Sequence, residues 1–390
     1  MRIIVLLLVL MISIELHAQE NAFLTPMGAY EGIAGNTGIG RDGSVGSVIY
    51  NPAGLASIKS SKLSASGSAF SQNQITTKSS EGSDDIKYFQ TVPAQITTVF
   101  NNPNFNWAFS ILVPNSTKYD SKRVEDTVNF NDTVEDHETV FGPSAALKIS
   151  NDFSLGLSVF GSKRDYRFTS IAFFEDGTGA IAQSRKLDIS GLTAYPILGL
   201  LYTPGKNFSA GLKFLGPSTS LSGEFEDNLK TAGNNTSLGI PNGDVTEKGK
   251  VTFQKPMELG IGFSARTSES IKLYFDVTNQ FSKEYELLKD NVFGETASVE
   301  YKTTQRYNFA VEYLTSHTDA ITFGLMYNPD PMVDSDLNFM GATLGYRSIE
   351  KIADSSFGLF YNQGSSDSDG IETKQTMVGL FISSSINFLN

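Results

Sequence analysis

The chain has no cysteine among its 390 residues, so disulfides and thiolate metal sites are excluded. Histidine is nearly absent, with three in all. His17 falls in an expected leader, His137 in an acidic loop and His317 in a short turn. With neither of the last two expected on a strand beside a serine, a Ser-His hydrolase on a barrel wall is not expected. Basic charge is in deficit: 30 Lys and Arg stand against 42 Asp and Glu, for a net charge of −12. Nucleic-acid binding needs a basic face, so that partner is excluded. Long apolar runs are missing too. The one candidate, Ile3 to Ile14, falls short of the about 20 residues a membrane helix needs.

That run reads instead as part of a signal peptide over residues 1–18. Arg2 is the positive n-region, Ile3 to Ile14 the apolar core, and Leu16-His17-Ala18 the small-residue cleavage site. A mature chain beginning at Gln19 is expected, exported and without a helical anchor.

What is present is glycine and aromatic residues: 35 Gly, 28 Phe and 15 Tyr. They are arranged with a period of two. Ile271, Leu273, Phe275 and Val277 alternate with Lys272, Tyr274, Asp276 and Thr278. Phe153, Leu155, Leu157 and Val159 alternate with serine and glycine. Val92, Ala94, Ile96, Thr98 and Phe100 are assigned outward in the same way. Fourteen such segments follow residue 60. Alternation over roughly 10 residues, broken by turn residues, is the pattern of a lipid-facing barrel strand. Short turns such as Ser150-Asn151-Asp152, Pro204-Gly205-Lys206 and Ser316-His317-Thr318 alternate with longer polar stretches. The latter lie near 71–91, 114–138, 165–189, 221–250, 282–300, 329–337 and 364–372, and are expected as outer loops. Outward positions near the short turns hold Phe100, Trp107, Phe153, Tyr202, Phe208, Tyr313 and Phe388, an aromatic girdle. Inward positions hold Lys148, Lys213, Glu258, Lys272, Asp276, Glu312 and Arg347, and charge is tolerated in a lumen but not on a lipid face. The fold class expected is an all-β transmembrane antiparallel barrel of 14 strands over residues 61–390. A soluble β-sandwich also alternates, but it explains neither the girdle nor the loop asymmetry.

Residues 19–60 do not alternate and are rich in glycine, which permits tight backbone paths. They are expected to form a plug in the lumen. In Tyr50-Asn51-Pro52-Ala53-Gly54-Leu55-Ala56, Asn51 suits a helix N-cap and Pro52 the first helical position. The fuller phosphate-loop spacing is missing around Gly38-Ile39-Gly40, so no nucleotide site is expected.

The Asn51-Pro52-Ala53 motif resembles that in the plug of the FadL family, the outer-membrane long-chain fatty acid transporters of Gram-negative bacteria. Lys255 to Phe263 with Leu273 to Val277 is similar to that family's mid-barrel strand pair, and Arg306 to Tyr313 with Phe323 to Pro331 to a later pair. The resemblance implies a 14-stranded outer-membrane barrel closed by an N-terminal hatch. Outer loops capture an apolar ligand, an inner pocket receives it, and a side opening releases it toward the membrane. It implies a plug motif at Asn51, Pro52 and Ala53 and apolar capture by outer loops. Here the candidates are Phe168, Ile171, Phe173 and Phe174 in the third long stretch, and Phe225, Leu229, Leu238 and Ile240 in the fourth. Each cluster can equally be strand extension packed on itself. Expected partners are a hydrophobic small molecule and the outer-membrane lipids and lipopolysaccharide, with the chain a monomer. No catalytic residue, cofactor or metal is expected; Asp367-Ser368-Asp369-Gly370 lacks the later glutamate of a calcium loop. A general porin and a surface adhesin or structural barrel remain as alternatives.

Overall fold

Side chains that alternate between lipid and lumen commit the backbone to extended strands, and closing the sheet pairs every edge. The computed structural model describes residues 26–389, apart from 80–81, 103, 126–127, 177–178, 234–242, 290–297, 334, 351 and 369–370. The expected leader, residues 1–18, lies outside the described residues. The chain runs through a short helix α1 (Ser47–Tyr50) and a 3-10 helix (Pro52–Ser57) into β1 (Ser61–Ser79), β2 (Gly82–Phe100), β3 (Asn106–Glu125), β4 (Val128–Lys148), β5 (Phe153–Asp176) and β6 (Gly179–Tyr202). Then come β7 (Phe208–Leu215), β8 (Thr219–Gly233), β9 (Gly243–Val251), β10 (Glu258–Arg266), β11 (Ile271–Gln280), β12 (Lys283–Glu286), β13 (Leu288–Lys289) and β14 (Ser298–Tyr301). β15 (Thr304–Leu314), β16 (Asp319–Pro329), β17 (Asn338–Ile349), β18 (Ala353–Ser368) and β19 (Ile371–Leu389) complete it.

The barrel is closed, antiparallel and 14-stranded. β1 pairs with β2 on one side and β19 on the other. Two of the wall strands are interrupted. β7 and β8 lie end to end against unbroken β6. β10 pairs with β7 and β9 with β8, across a break at Thr252–Met257. Pro217 and Pro256 sit in these breaks, and proline cannot donate to a ladder.

The lipid face follows the expected register. Leu155, Leu157 and Val159 are exposed, whereas Ser154, Gly156 and Ser158 between them are buried. The girdle is a set of ring contacts: Phe100 stacks on Trp107 at 4.1 Å, and Phe153 on Tyr202 at 4.6 Å. Among the described residues, one outward assignment fails. Ala94 is buried, because the β1–β2 register slips between Ser66↔Gln95 and Gly67↔Pro93. A bulge inserts a residue and reverses the facing of those beyond it.

The larger departure concerns the polar stretches expected as loops. Much of 71–91, 114–138, 165–189 and 221–250 is strand, and β5 and β6 stay paired out to Asp176↔Gly179. Outside a bilayer both faces of a sheet touch polar surroundings, so alternation fades while backbone pairing continues. His137, expected in a loop, lies on β4 opposite Asp165.

Candidate lumen site

The N-terminal segment is held by inward side chains from around the barrel. Ser158 of β5 donates to Val48 O at 2.7 Å, Ser209 of β7 to Gly40 O at 2.5 Å, and Asn308 of β15 to Gly35 O at 2.6 Å. On β17, Thr343 donates to Ile33 O at 2.8 Å and accepts from Gly35 N at 3.0 Å. Asp276 of β11 accepts from Gly38 N at 2.6 Å and Ile39 N at 2.9 Å. Backbone groups of an irregular segment away from water need such partners. Glycines in the wall make the approach possible. A Cβ at Gly156 would overlap Pro52 and Ala53, one at Gly199 the Asn51 side chain, and one at Gly211 the Ile39 carbonyl.

Asn51 is the central joint. It is fully buried, its Oδ1 accepts from Ala53 N at 3.2 Å, and it caps the 3-10 helix with Pro52 just inside. Its Nδ2 donates both to Ile39 O at 2.7 Å and to Leu200 O of β6 at 3.0 Å. Cap and link to the wall are therefore one side chain. Ala53, the third motif residue, supplies the capped N–H and has no exposure.

Above this segment lies a cavity. Its floor includes Ile49, and its apolar lining includes Tyr195, Ile197, Leu215, Phe253 and Tyr301. Four cations (Arg164, Lys213, Lys255, Arg306) line it against two carboxylates, Glu138 and Glu258. Lys213 Nζ lies 3.1 Å and Arg306 Nη2 2.7 Å from the Glu258 carboxylate. Lys255 lies 2.5 Å from Glu138, and Arg164 pairs in a bidentate fork with Asp136 at 3.0 and 2.9 Å. A smaller cavity shares Lys213, Arg306 and Asn328 and reaches Asn36, Ile39 and Tyr50 of the N-terminal segment. The arrangement offers apolar contact area beside paired charges, in which four cations meet three carboxylates, Asp136 included, and this mixture suits an amphiphile.

Beside this cavity the wall changes. Among the described residues, the β2–β3 ladder runs only from Gln95↔Leu112 to Phe100↔Trp107. Above it β2 pairs with β1 and β3 with β4, and a register shift falls between Leu112 and Asn115. Pro114 and Asn115 line the cavity at that level. Higher up, Tyr88 of β2 stacks on Tyr119 of β3 at 5.8 Å.

The expected capture clusters are divided by the sheet. Phe168 is half-buried and packs with Tyr166, Leu187, Ile189 and Phe225. Ile171 and Phe173 lie on the opposite, outer face at 45% and 38% exposure. Positions three apart on a strand cannot share a face. Phe174 lies on β5, Leu229 is half-buried on β8 opposite Arg185, and Leu238 and Ile240 lie outside the described residues. On the outer face, Lys118 donates to Glu135 at 2.5 Å; that hydrogen bond and the carboxylate's charge hold it above the usual lysine range.

Sequence reasoning missed the cavity lining, including Glu138, Arg164, Tyr195, Phe253 and Lys255. A usable signal was the proline set. Pro114, Pro256, Pro329 and Pro331 all line the cavity, in a chain with only 13 prolines.

The sequence matches the family described as outer membrane protein transport protein (OMPP1/FadL/TodX) over residues 25–348. No curated protein matches it. Among solved structures it is similar to a Pseudomonas aeruginosa FadL homologue, at 12% identity over 94% of this chain and 99% of that one, with a TM-score of 0.71. The Ralstonia pickettii toluene transporter TbuX gives 15%, 94%, 99% and 0.67 on the same measures. The Pseudomonas putida toluene transporter TodX gives 13%, 94%, 100% and 0.64. At these identities the likeness is one of fold.

Proposed function

The chain belongs to the outer membrane protein transport protein (OMPP1/FadL/TodX) family and is an outer-membrane β-barrel transporter of hydrophobic compounds, and we propose that it takes up long-chain fatty acids or similar amphiphiles passively, past a plug formed by its N-terminal segment. Residues 26–60 act as that plug, with Asn51, Pro52 and Ala53 as the joint to the wall. Ligand reaches the cavity, its apolar chain lies against Tyr195, Phe253 and Leu215, and its head group meets the cluster around Lys255, Lys213 and Arg306. Burial of the chain contributes about 0.8 kcal/mol per CH₂. Release is sideways, through the stretch of wall where β2 and β3 do not pair, when the plug shifts.

One observation carries this reading: the cavity stands on the N-terminal segment at Ile49 and beside the stretch where, among the described residues, β2 and β3 do not pair. A downward exit is crowded by the hydrogen bonds of residues 33–53, whereas the flank at Pro114 lacks a ladder to break. Toluene and its relatives need only the apolar walls; the lining's four cations against three carboxylates, Glu138, Glu258 and Asp136, favour a ligand with an anionic head by one charge.

Uptake of radiolabelled oleate into an outer-membrane host lacking its own transporter tests the proposal, with labelled toluene in parallel. Expected is oleate uptake that depends on the chain, with assembly confirmed by a heat-modifiable gel shift. A folded barrel that carries toluene but not oleate would reassign the substrate. One that carries neither but gives a large steady conductance in a planar bilayer would be a porin.

A further inference from the structure

Residues 26–60 carry a single arginine, Arg41, and it is buried at 5% exposure. Arginine keeps its charge in proteins, so its N–H groups need partners once water is excluded. Elsewhere on the inner face of the barrel that need is met. Arg164 turns its Nε and Nη2 onto Asp136 at 3.0 and 2.9 Å, and Arg185 turns the same fork onto Asp227 at 3.0 and 2.5 Å.

The fork of Arg41 is empty. Its Nε and Nη2 are both buried without a hydrogen-bond partner. The guanidinium lies over the ring of Tyr274 on β11, 3.9 Å from the ring centre, and its Nη1 is 3.9 Å from the Glu312 carboxylate of β15. The second contact is an ion pair too long for a hydrogen bond. Glu312 is already held by the wall: Arg347 of β17 lies 3.1 Å from its Oε1, and Tyr274 donates to the same oxygen at 3.3 Å. Other carboxylates on this side are engaged elsewhere. Asp276 accepts from the amides of Gly38 and Ile39, and Asp354 pairs with Lys62 at 3.2 Å. Glu31, the buried acid of the segment itself, accepts from Tyr30 N at 3.2 Å through Oε2, and its Oε1 is a further buried atom without a partner. Seated against the wall, the segment therefore holds a charge that its surroundings do not fully bond.

We propose that Arg41 is a built-in destabiliser of the seated plug, whose incompletely bonded charge keeps the segment able to leave its seat. The inference rests on the reading of residues 26–60 as a plug. Taking a guanidinium out of water is offset only where the pairing geometry is good and the remaining protons are bonded. Here the pair is long and two N–H groups have no partner. When the segment shifts, water or Glu31 reaches the fork, so Arg41 favours the displaced state while Asn51 and the other joints favour the seated one. A salt bridge that clamps the plug would have the opposite sign.

Arg41→Met separates the two. Methionine is unbranched, keeps a contact with the Tyr274 ring, and leaves Glu312 bonded to Arg347 and Tyr274, so no carboxylate is stranded. Seating is read with a water-soluble maleimide on one cysteine placed at the fully buried Ser47, as Ser47→Cys, in a chain without native cysteine. Assembly is checked by the heat-modifiable gel shift. Where opening precedes reaction, Arg41→Met is expected to label at least about fivefold more slowly than the parent and to take up less oleate. Arg41→Lys keeps a buried charge and is expected to label at the parental rate or faster. Labelling of Arg41→Met at or above the parental rate would overturn the proposal. So would an Arg41→Lys variant that labels as slowly as Arg41→Met, because the charge would then not be the cause. The transport reading fails separately: absence of oleate uptake by the parent chain would overturn it and leave the labelling rates to decide Arg41.

Discussion

Replacing Asn51 with alanine isolates the hold between the N-terminal segment and the wall. The asparagine makes three hydrogen bonds: one caps the 3-10 helix at Ala53 N, one joins Ile39 O within the segment, and one joins Leu200 O of β6. Losing the cap costs about 1 kcal/mol. Each of the other bonds contributes about 1 kcal/mol, with more where a buried carbonyl is left unsatisfied. The sum is about 3 kcal/mol, all of it local to the segment. None of the three is a strand-to-strand bond, so the barrel itself is expected to assemble and to show an undiminished heat-modifiable gel shift. At about 1.4 kcal/mol per tenfold, loss of the one bond to the wall should raise the displaced population roughly fivefold, and on the order of 100-fold where displacement also unravels the segment and its two internal bonds. The assay is labelling of one engineered cysteine, introduced as Ser47→Cys. Cysteine is close in size to the native serine, the position is fully buried, and the chain has no competing thiols. Under conditions where opening precedes reaction, the rate of labelling by a water-soluble maleimide tracks the open population. An assembled Asn51→Ala barrel whose engineered thiol labels at the parental rate would refute the account of Asn51 as the joint. Oleate uptake in the same cells is expected to fall, because a loosened plug no longer couples arrival of ligand to release.

Glu258→Leu removes the carboxylate that Lys213 and Arg306 share and is expected to destabilise the barrel by about 3–5 kcal/mol, read as a lower urea midpoint in lipid vesicles. Replacing all three residues with apolar side chains should restore most of that stability while weakening oleate uptake. Leu157→Arg places charge on the lipid face and should cost about 2–4 kcal/mol in the same titration, whereas Leu157→Phe should be close to neutral. Phe168→Ala should slow uptake several-fold at low oleate, while Ile171→Ala, on the outer face of the same strand, should leave the rate within about twofold; equal effects would contradict their assignment to opposite faces.

How much was legible in the sequence differs with depth in the membrane. Inside the bilayer one face of each strand meets hydrocarbon, so a period of two was imposed on the residues. Phe153 to Val159 and Ile271 to Val277 declared both strand and face. Above the bilayer that constraint lapses, and residues 165–176 and 179–189 looked like polar loop although they are paired backbone. The clusters at 168–174 and 225–240 were grouped by nearness along the chain, and the sheet separated Phe168 from Ile171. Asn51-Pro52 announced a cap from local chemistry, and the cap is there.

By itself, then, the sequence determined the class of fold, the membrane-facing register, the short turns and the capped turn after Tyr50, because each depends on residues close together in the chain. Tertiary structure alone decided the rest. Leu200 reaches Asn51 across 149 positions. Lys213, Glu258 and Arg306 come from three strands, and Lys255 meets Glu138 only because a break before β10 turns it into the lumen. Barrel closure is the physical reason. Once β19 pairs with β1, every inward side chain shares one enclosed volume, and which of them meet depends on shear and strand breaks that no local pattern encodes.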